Sequence, residues 1–261
     1  MDTWRLLSLQ TNNAYMNMAI DEAILNGLII GNVPNTLRFY RWKPSAVSIG
    51  KNQSPNNQVH IDSCKRQGVD IVRRISGGGT VYHDFEGEVT YSLAAKTSDF
   101  GTGDITSVYS KIYSAITDAL RLLGVSADFS GGDAKNCPNL TVNGKKISGS
   151  SQTISRGVVL QHGTILRSVD LPKMFQLLQL KGASCTQAAD IAKRKITSIQ
   201  TELGHRISSD TVANALAQGF KAILKIQLQE SQLTHVEKDM ANKLCKEKYA
   251  TKEWVFSGKT T

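Results

Sequence analysis

The sequence predicts an α+β fold, a mixed and largely antiparallel sheet flanked by helices, and two observations carry that prediction. Short runs of β-branched and aromatic residues separated by turn signals dominate the middle of the chain. Segments of helical periodicity dominate its end, a segregation typical of a sheet covered by helices rather than of alternating βα units. With 40% hydrophobic and 20% charged residues, the 261-residue chain has ordinary globular composition and can bury a substantial core.

Met16 to Leu28 (MNMAIDEAILNGL) has apolar residues near helical spacing and reads as the first helix, with Asn17 in its cap region. Thr36 to Tyr40 and Ala46 to Ile49 read as short strands. Ser63 to Gln67 reads as a helix ended by Gly68, and Val69 to Arg73 as the next strand. A glycine turn at Ser76-Gly77-Gly78-Gly79 leads into a strand from Thr80 to His83, and Val89 to Leu93 alternates as another. Ser107 to Leu123 is an amphipathic helix stopped by Gly124. Asn143-Gly144 between Leu140–Val142 and Lys146–Ser148 is a strong hairpin signal, because both residues tolerate positive φ. Val158 to Leu166 closes the strand-rich part. Leu171–Leu180, Ser208–Leu224 and Gln232–Tyr249 read as helices.

The bulk numbers narrow the function. No stretch approaches the roughly 20 apolar residues of a membrane span. The start, MDTWRLLSLQTNN, lacks the basic region of a signal peptide, so a cytoplasmic protein is expected. Four widely separated cysteines, Cys64, Cys137, Cys185 and Cys245, form no metal-ligating spacing. The net charge of +9 suits a nucleic acid, an acidic protein or an anionic small ligand. Its densest groups, Lys193-Arg194-Lys195 and Lys243 to Lys248, carry no interleaved aromatics. Nucleic-acid stacking is therefore not expected.

Three segments carry chemistry. In Arg73-Arg74-Ile75-Ser76-Gly77-Gly78-Gly79-Thr80-Val81-Tyr82-His83-Asp84, the glycines let backbone approach a ligand and offer amides to a carbonyl or phosphate oxygen. The arginines add permanent charge. Taken alone, this reads rather as a glycine turn between strands with surface arginines, and it lacks P-loop spacing. In Asn143-Gly144-Lys145-Lys146-Ile147-Ser148-Gly149-Ser150-Ser151, a lysine entering a strand after a tight turn is held rigidly enough to counter charge in a cleft, although by itself the segment reads rather as a hairpin with two solvated lysines. Gln161-His162-Gly163-Thr164-Ile165-Leu166 could line a pocket, although on its own merits it reads rather as a satisfied structural histidine.

In order and wording, these segments resemble the lipoate–protein ligase A family, whose RRxSGGGxVYHD, GKKxSGS-like and HGTLL-like stretches match RRISGGGTVYHD, GKKISGSS and HGTIL here. NMAIDEAIL near the start and Tyr249-Ala250-Thr251-Lys252-Glu253-Trp254 near the end resemble the family's outer landmarks. The resemblance thus covers essentially the whole chain. It implies the biotin/lipoate ligase catalytic-domain fold over residues 1–250, followed by a tail at 251–261 without the small accessory domain many ligases carry. It also implies ATP- and Mg²⁺-dependent formation of lipoyl-adenylate and transfer of the lipoyl group to a carrier lysine. That carrier would be a 2-oxoacid dehydrogenase acyltransferase subunit or a glycine-cleavage H protein, and a separate accessory protein would support activation.

By resemblance, Lys146 is the essential lysine, stabilising charge on acyl and phosphate oxygens. Arg73, Ser76, Gly77, Gly78, Gly79 and Val81 form the adenylate loop, which His83 closes. Asn139, Ser148 and Gly149 flank the lysine, while His162, Gly163 and Thr164 line the opposite wall. One departure opens a second enzyme reading. Where many ligases carry Arg-Asn-Asp, this chain has Cys137-Pro138-Asn139, and octanoyl- and amidotransferases of the superfamily use a cysteine in this region as an acyl-thioester nucleophile. Alignment places their cysteine near Gly131, several residues before Cys137. The ligase reading needs no thiol, so it expects Cys137→Ser to keep most activity. A ligase-like binding module is the non-enzyme alternative.

Overall fold

The structure, a computed structural model, describes residues 2–130 and 139–259. Two sheets form its frame. The large one contains β1 (Thr3–Asn12), β2 (Thr36–Trp42), β6 (Glu88–Lys96), β7 (Asp128–Ser130), β8 (Asn139–Val142), β9 (Lys145–Ser155), β10 (Val158–Leu166) and β11 (Gln227–Glu230). Its order is β11-β1-β2-β6-β10-β9-β8-β7; β1 runs parallel to β2 and β11, and the other pairs are antiparallel. The small sheet, in the order β4-β3-β5, is built from β3 (Ala46–Ile49), β4 (Asp70–Arg73) and β5 (Val81–His83). The mixed, largely antiparallel sheet expected from the sequence is therefore the one observed.

Helices α1 (Ala14–Ile29), α2 (Ile61–Arg66), α3 (Ile105–Leu122), α4 (Leu171–Leu177), α5 (Cys185–Lys193), α6 (Ile199–Leu203), α7 (Ser209–Leu224) and α8 (His235–Leu244) complete the chain. Apolar residues of α3 and α7, among them Ile112, Ile116, Leu216 and Phe220, share one core with Tyr91 and Leu93 of β6. Each such side chain, fully buried, contributes on the order of 1.5–3 kcal/mol of transfer free energy. Residues of α1 and α8 form a second core with Tyr40 and Trp42 of β2. The small sheet, α2 and α4 enclose a third. Among the described residues, no helix is long and apolar enough to cross a membrane.

Several local expectations need correction. Asn13, rather than Asn17, caps α1: its side chain accepts a hydrogen bond from the Met16 amide. Asn17 is fully buried, donating to the Arg41 carbonyl and accepting from Arg38. Strands β1 and β11 and helices α5 and α6 were not expected; β1 mixes leucines with Arg5, Ser8 and Gln10 and shows no clean alternation. Within residues 251–259, two side chains are buried. A π-helical turn, Glu253–Ser257, buries Trp254 and Val255.

Candidate active site

A cavity of ≈380 Å³ is lined by residues of both sheets and of α1 and α4. Its wall from the small sheet is the glycine loop, shaped from beneath by Arg74. That guanidinium donates to the carbonyls of Gly77 (2.8 Å) and Gly79 (2.9 Å) and to Ser48 Oγ (2.7 Å). Gly78 sits at φ +85°, a conformation that suits glycine. The loop rests on a second glycine: a Cβ at Gly50 would lie 2.2 Å from the Gly78 carbonyl oxygen.

Two buried histidines are each held between an acid and a serine. His162 Nδ1 lies 3.1 Å from Asp21 Oδ2 and its Nε2 lies 2.6 Å from Ser76 Oγ, which meets Ser151 Oγ at 2.8 Å. Asp21 also receives Arg38 (2.7 Å) and the Tyr40 hydroxyl (3.0 Å). Burial lowers the pKa of His162 despite the Asp21 contact, so the ring is neutral near pH 7. Burial alone would raise the Asp21 carboxyl. The hydrogen bond from His162 and the Arg38 charge outweigh it and hold the group ionised below its ordinary range. His83 stacks on Trp42 with ring centroids 4.0 Å apart. Its Nδ1 meets Glu88 Oε1 at 2.7 Å and its Nε2 meets Ser48 Oγ at 2.6 Å. With both ring nitrogens engaged, neither histidine can swing freely, and together they give the inner part of the cavity fixed walls. Met18, Tyr40 and Trp42, all buried, add apolar surface there.

Lys146 is placed by its backbone. Leu140 pairs with Ser148 and Thr141 with Lys146, so Ile147 is the extra residue of a β-bulge and enters the core while Lys146 lines the cavity. The Lys146 amide donates to the Lys195 carbonyl (2.8 Å), and the Thr197 amide donates to the Lys146 carbonyl (2.9 Å). The side chain runs back across Gly149, where a Cβ would lie 2.5 Å from Nζ and 2.6 Å from Cε. Gly149→Ala is therefore expected to displace the ammonium and lower kcat by up to roughly 10²-fold, the cost of a misplacement of about 1 Å. The melting temperature should hold, because the crowded atoms end a flexible chain. Turnover and thermal denaturation of the variant check both halves.

Of the residues singled out in the sequence, Gly78, Gly79, Val81, His83, Asn139, Lys146, Gly149, His162, Gly163 and Thr164 line the cavity. Gly163 is required by close packing, since a Cβ there would lie 2.6 Å from Ser150 Cβ and 2.8 Å from the Gly149 oxygen. Arg73, Ser76, Gly77 and Ser148 are not among its lining residues. Arg73 donates instead to the carbonyls of Lys51 (2.7 Å), Gln53 (2.7 Å), Trp254 (2.8 Å) and Val255 (2.9 Å), fastening the C-terminal turn to β4. Ser76 supports His162 from behind, and Ser148 is buried. Cys137 lies outside the described residues. Sequence reasoning missed Arg74 as the loop's brace and Ser48, Trp42 and Met18 as lining, although Arg74 stood beside Arg73 in the same motif.

Residues 13–221 match the lipoyl protein ligase A/B catalytic domain. The chain belongs to that family. Within it, octanoyltransferase LipM of Symbiobacterium thermophilum is 35% identical, covering 96% of this chain and 97% of that protein. The octanoyltransferase LipM of Staphylococcus aureus is 31% identical over 98% and 99%. Among solved structures, the bi-partite lipoate protein ligase from Thermoplasma acidophilum is similar at TM-score 0.87 and 30% identity, covering 100% of this chain and 98% of that one. A lipoate-protein ligase A bound with ATP is similar at TM-score 0.84 and 30% identity, with 98% and 99% covered.

These comparisons make the chain an enzyme of the ligase/transferase superfamily acting in lipoylation. They also correct the expectation of an ATP-dependent lipoate ligase, because the curated relatives at 31–35% identity are named octanoyltransferases. The physical reason lies in which residues carried the expectation. The glycine loop, Lys146 and His162 line one cavity, and the wording they carry occurs in a chain whose curated relatives are octanoyltransferases, so these residues do not tell ligase from transferase. The segment that departs from the ligase wording is Cys137-Pro138-Asn139, of which Cys137 and Pro138 lie outside the described residues.

Proposed function

We propose that the chain transfers an octanoyl group from a carrier-bound thioester to a lysine of a lipoyl carrier domain. The observation that carries this reading is the full-length similarity to octanoyltransferases at 31–35% identity. The cavity supports it chemically. An acyl chain would lie against Met18, Tyr40 and Trp42, with its carbonyl toward the half-buried Lys146 and the glycine loop. A thioester is already activated, so positioning and charge stabilisation carry much of the transfer. In the net reaction the carbonyl carbon gains a bond to nitrogen and loses its bond to the donor sulfur, and the amine proton leaves with the donor thiolate; an acyl-cysteine intermediate leaves this balance unchanged.

Neither ATP, Mg²⁺ nor an accessory protein has a step in this scheme. Among the described lining residues, Arg74 and Lys146 are cationic and none is a carboxylate, a donor set that does not fit a Mg²⁺ ion. The acceptor would be the acyltransferase subunit of a 2-oxoacid dehydrogenase or a glycine-cleavage H protein. In the archaeal lipoylation system of Thermoplasma acidophilum, the structurally similar bi-partite ligase is paired with its E2 lipoyl domain.

The test is to incubate the pure chain with octanoyl carrier protein and an apo-lipoyl domain, without nucleotide or metal, and to read the domain's mass. A gain of one octanoyl group is expected. Transfer that occurs only from free acid, and only with ATP and Mg²⁺, would refute the proposal.

A further inference from the structure

The segment Lys193-Arg194-Lys195 ends α5 and passes directly into the residue that lies beside Lys146. All three side chains are exposed. The Lys195 carbonyl accepts the Lys146 amide at 2.8 Å, and the next residue, Ile196, lines the cavity. Three exposed cationic residues therefore lead directly into Ile196, which lines the cavity, and the last of them bonds through its carbonyl to the Lys146 backbone. Among the described residues, no ion pair joins them to an acid. The one acidic residue of α5 is Asp190; α4, which packs against α5, presents Lys173, itself paired with Asp84 at 3.6 Å. Ile191, 43% exposed, adds apolar surface two residues before the triplet. Lys193 complements the negative end of α5, but Arg194 and Lys195 lie beyond that helix, so helix stability does not account for them.

We propose that this basic rim is the docking surface for the acyl donor, an acidic carrier domain that delivers its thioester on an arm containing a phosphodiester. The assignment rests on the transferase reading above. Charge decides between the two substrates. An acceptor lysine approaches as a cation, and three positive charges at the entrance repel it. A phosphodiester arm on an acidic domain is drawn in, and exposed charge of this kind acts on encounter and on weak affinity.

The test compares the parent with the double variant K193E/R194E, which leaves Lys195, bonded through its carbonyl to Lys146, in place. Direct titration measures the Kd for octanoyl carrier protein and for the apo-lipoyl domain, at low and at physiological salt, so binding is read without turnover. The variant should bind the octanoyl carrier on the order of tenfold more weakly and lose most of the salt dependence. Its Kd for the lipoyl domain should not rise, and octanoyl transfer from octanoyl-pantetheine, which lacks both protein and phosphate, should match the parent. An unchanged Kd for the octanoyl carrier overturns the proposal, as does weakened binding of the lipoyl domain instead. If the parent transfers nothing from either donor while the binding difference stands, the transferase reading fails and the docking surface remains.

Discussion

Lys146→Ala is expected to lower kcat by roughly 10²–10³-fold, the usual loss when one donor to a developing oxyanion is removed. When an amine attacks an acyl thioester, negative charge grows on the carbonyl oxygen. Lys146 is held near that point by the bulge at Ile147, by the segment 195–197 and by the bare Cα of Gly149. Because the charge develops in the transition state, kcat should fall while KM stays nearly constant. The fold should survive, since the residue packed into the core is Ile147 and Lys146 is only half-buried. Lys145→Ala is the control and should change kcat little. Near-parental turnover in Lys146→Ala, with intact transfer in the parent, would remove the lysine from the mechanism.

The elements that could be read from the sequence were those in which one physical signal dominates. Amphipathic α3 was found within two residues at each end. The Asn143-Gly144 turn was found because both residues adopt positive φ, at +50° and +76°. Strand β10 was found with its ends; it lies between β6 and β9 and is buried along all but its last residue. Strands β1 and β11 were missed because their partners lie far away in sequence: Thr3 pairs with Gln227, and Arg5 with Thr36. Arg5 also shows why β1 lacks alternation, since it is buried against Glu237 of α8 at 2.7 Å.

The structure brings most of the residues singled out in the sequence to one cavity, with Arg74 rather than Arg73 among its lining. Sequence order cannot say which of two adjacent arginines faces a ligand, because successive residues of a strand point to opposite sides. Arg73 ends β4 and turns to the carbonyls of Trp254 and Val255; Arg74, just beyond it, turns to the glycine loop. Asp21 was legible only as part of a helix. Its bond to His162 spans 141 positions, and nothing local foretells it. Activity was the least legible feature, because the motifs that resemble the ligase family stand in a chain whose curated relatives are named octanoyltransferases.

Correcting ligase to transferase reverses the expectation for Cys137. A ligase passes its acyl group through a phosphate anhydride and needs no thiol, whereas a transferase that holds the group covalently needs one. Of the chain's four cysteines, three are described, and none of the three lines the cavity. Cys64 is buried in the small-sheet core, where burial pushes its thiol up to about 11, far from the thiolate that attack requires. Burial likewise raises Cys245, and Cys185 is exposed at the start of α5. An acyl-enzyme on cysteine therefore leaves Cys137, three residues after Ala134 in the segment that precedes β8. Its thiolate would attack the donor carbonyl and expel the donor thiol. The carrier lysine would then break the new C–S bond, form the amide and return the thiolate. On this scheme Cys137→Ser should lose roughly 10³-fold or more of its transfer rate, as nucleophile removal commonly does. Octanoyl carrier protein should add one octanoyl mass to the parent at Cys137, released by hydroxylamine, and add none to the variant. Parental rates in Cys137→Ser, with no adduct in the parent, would instead mean that the lysine attacks the donor thioester directly. The glycine loop and Lys146 would then be the whole of the machinery.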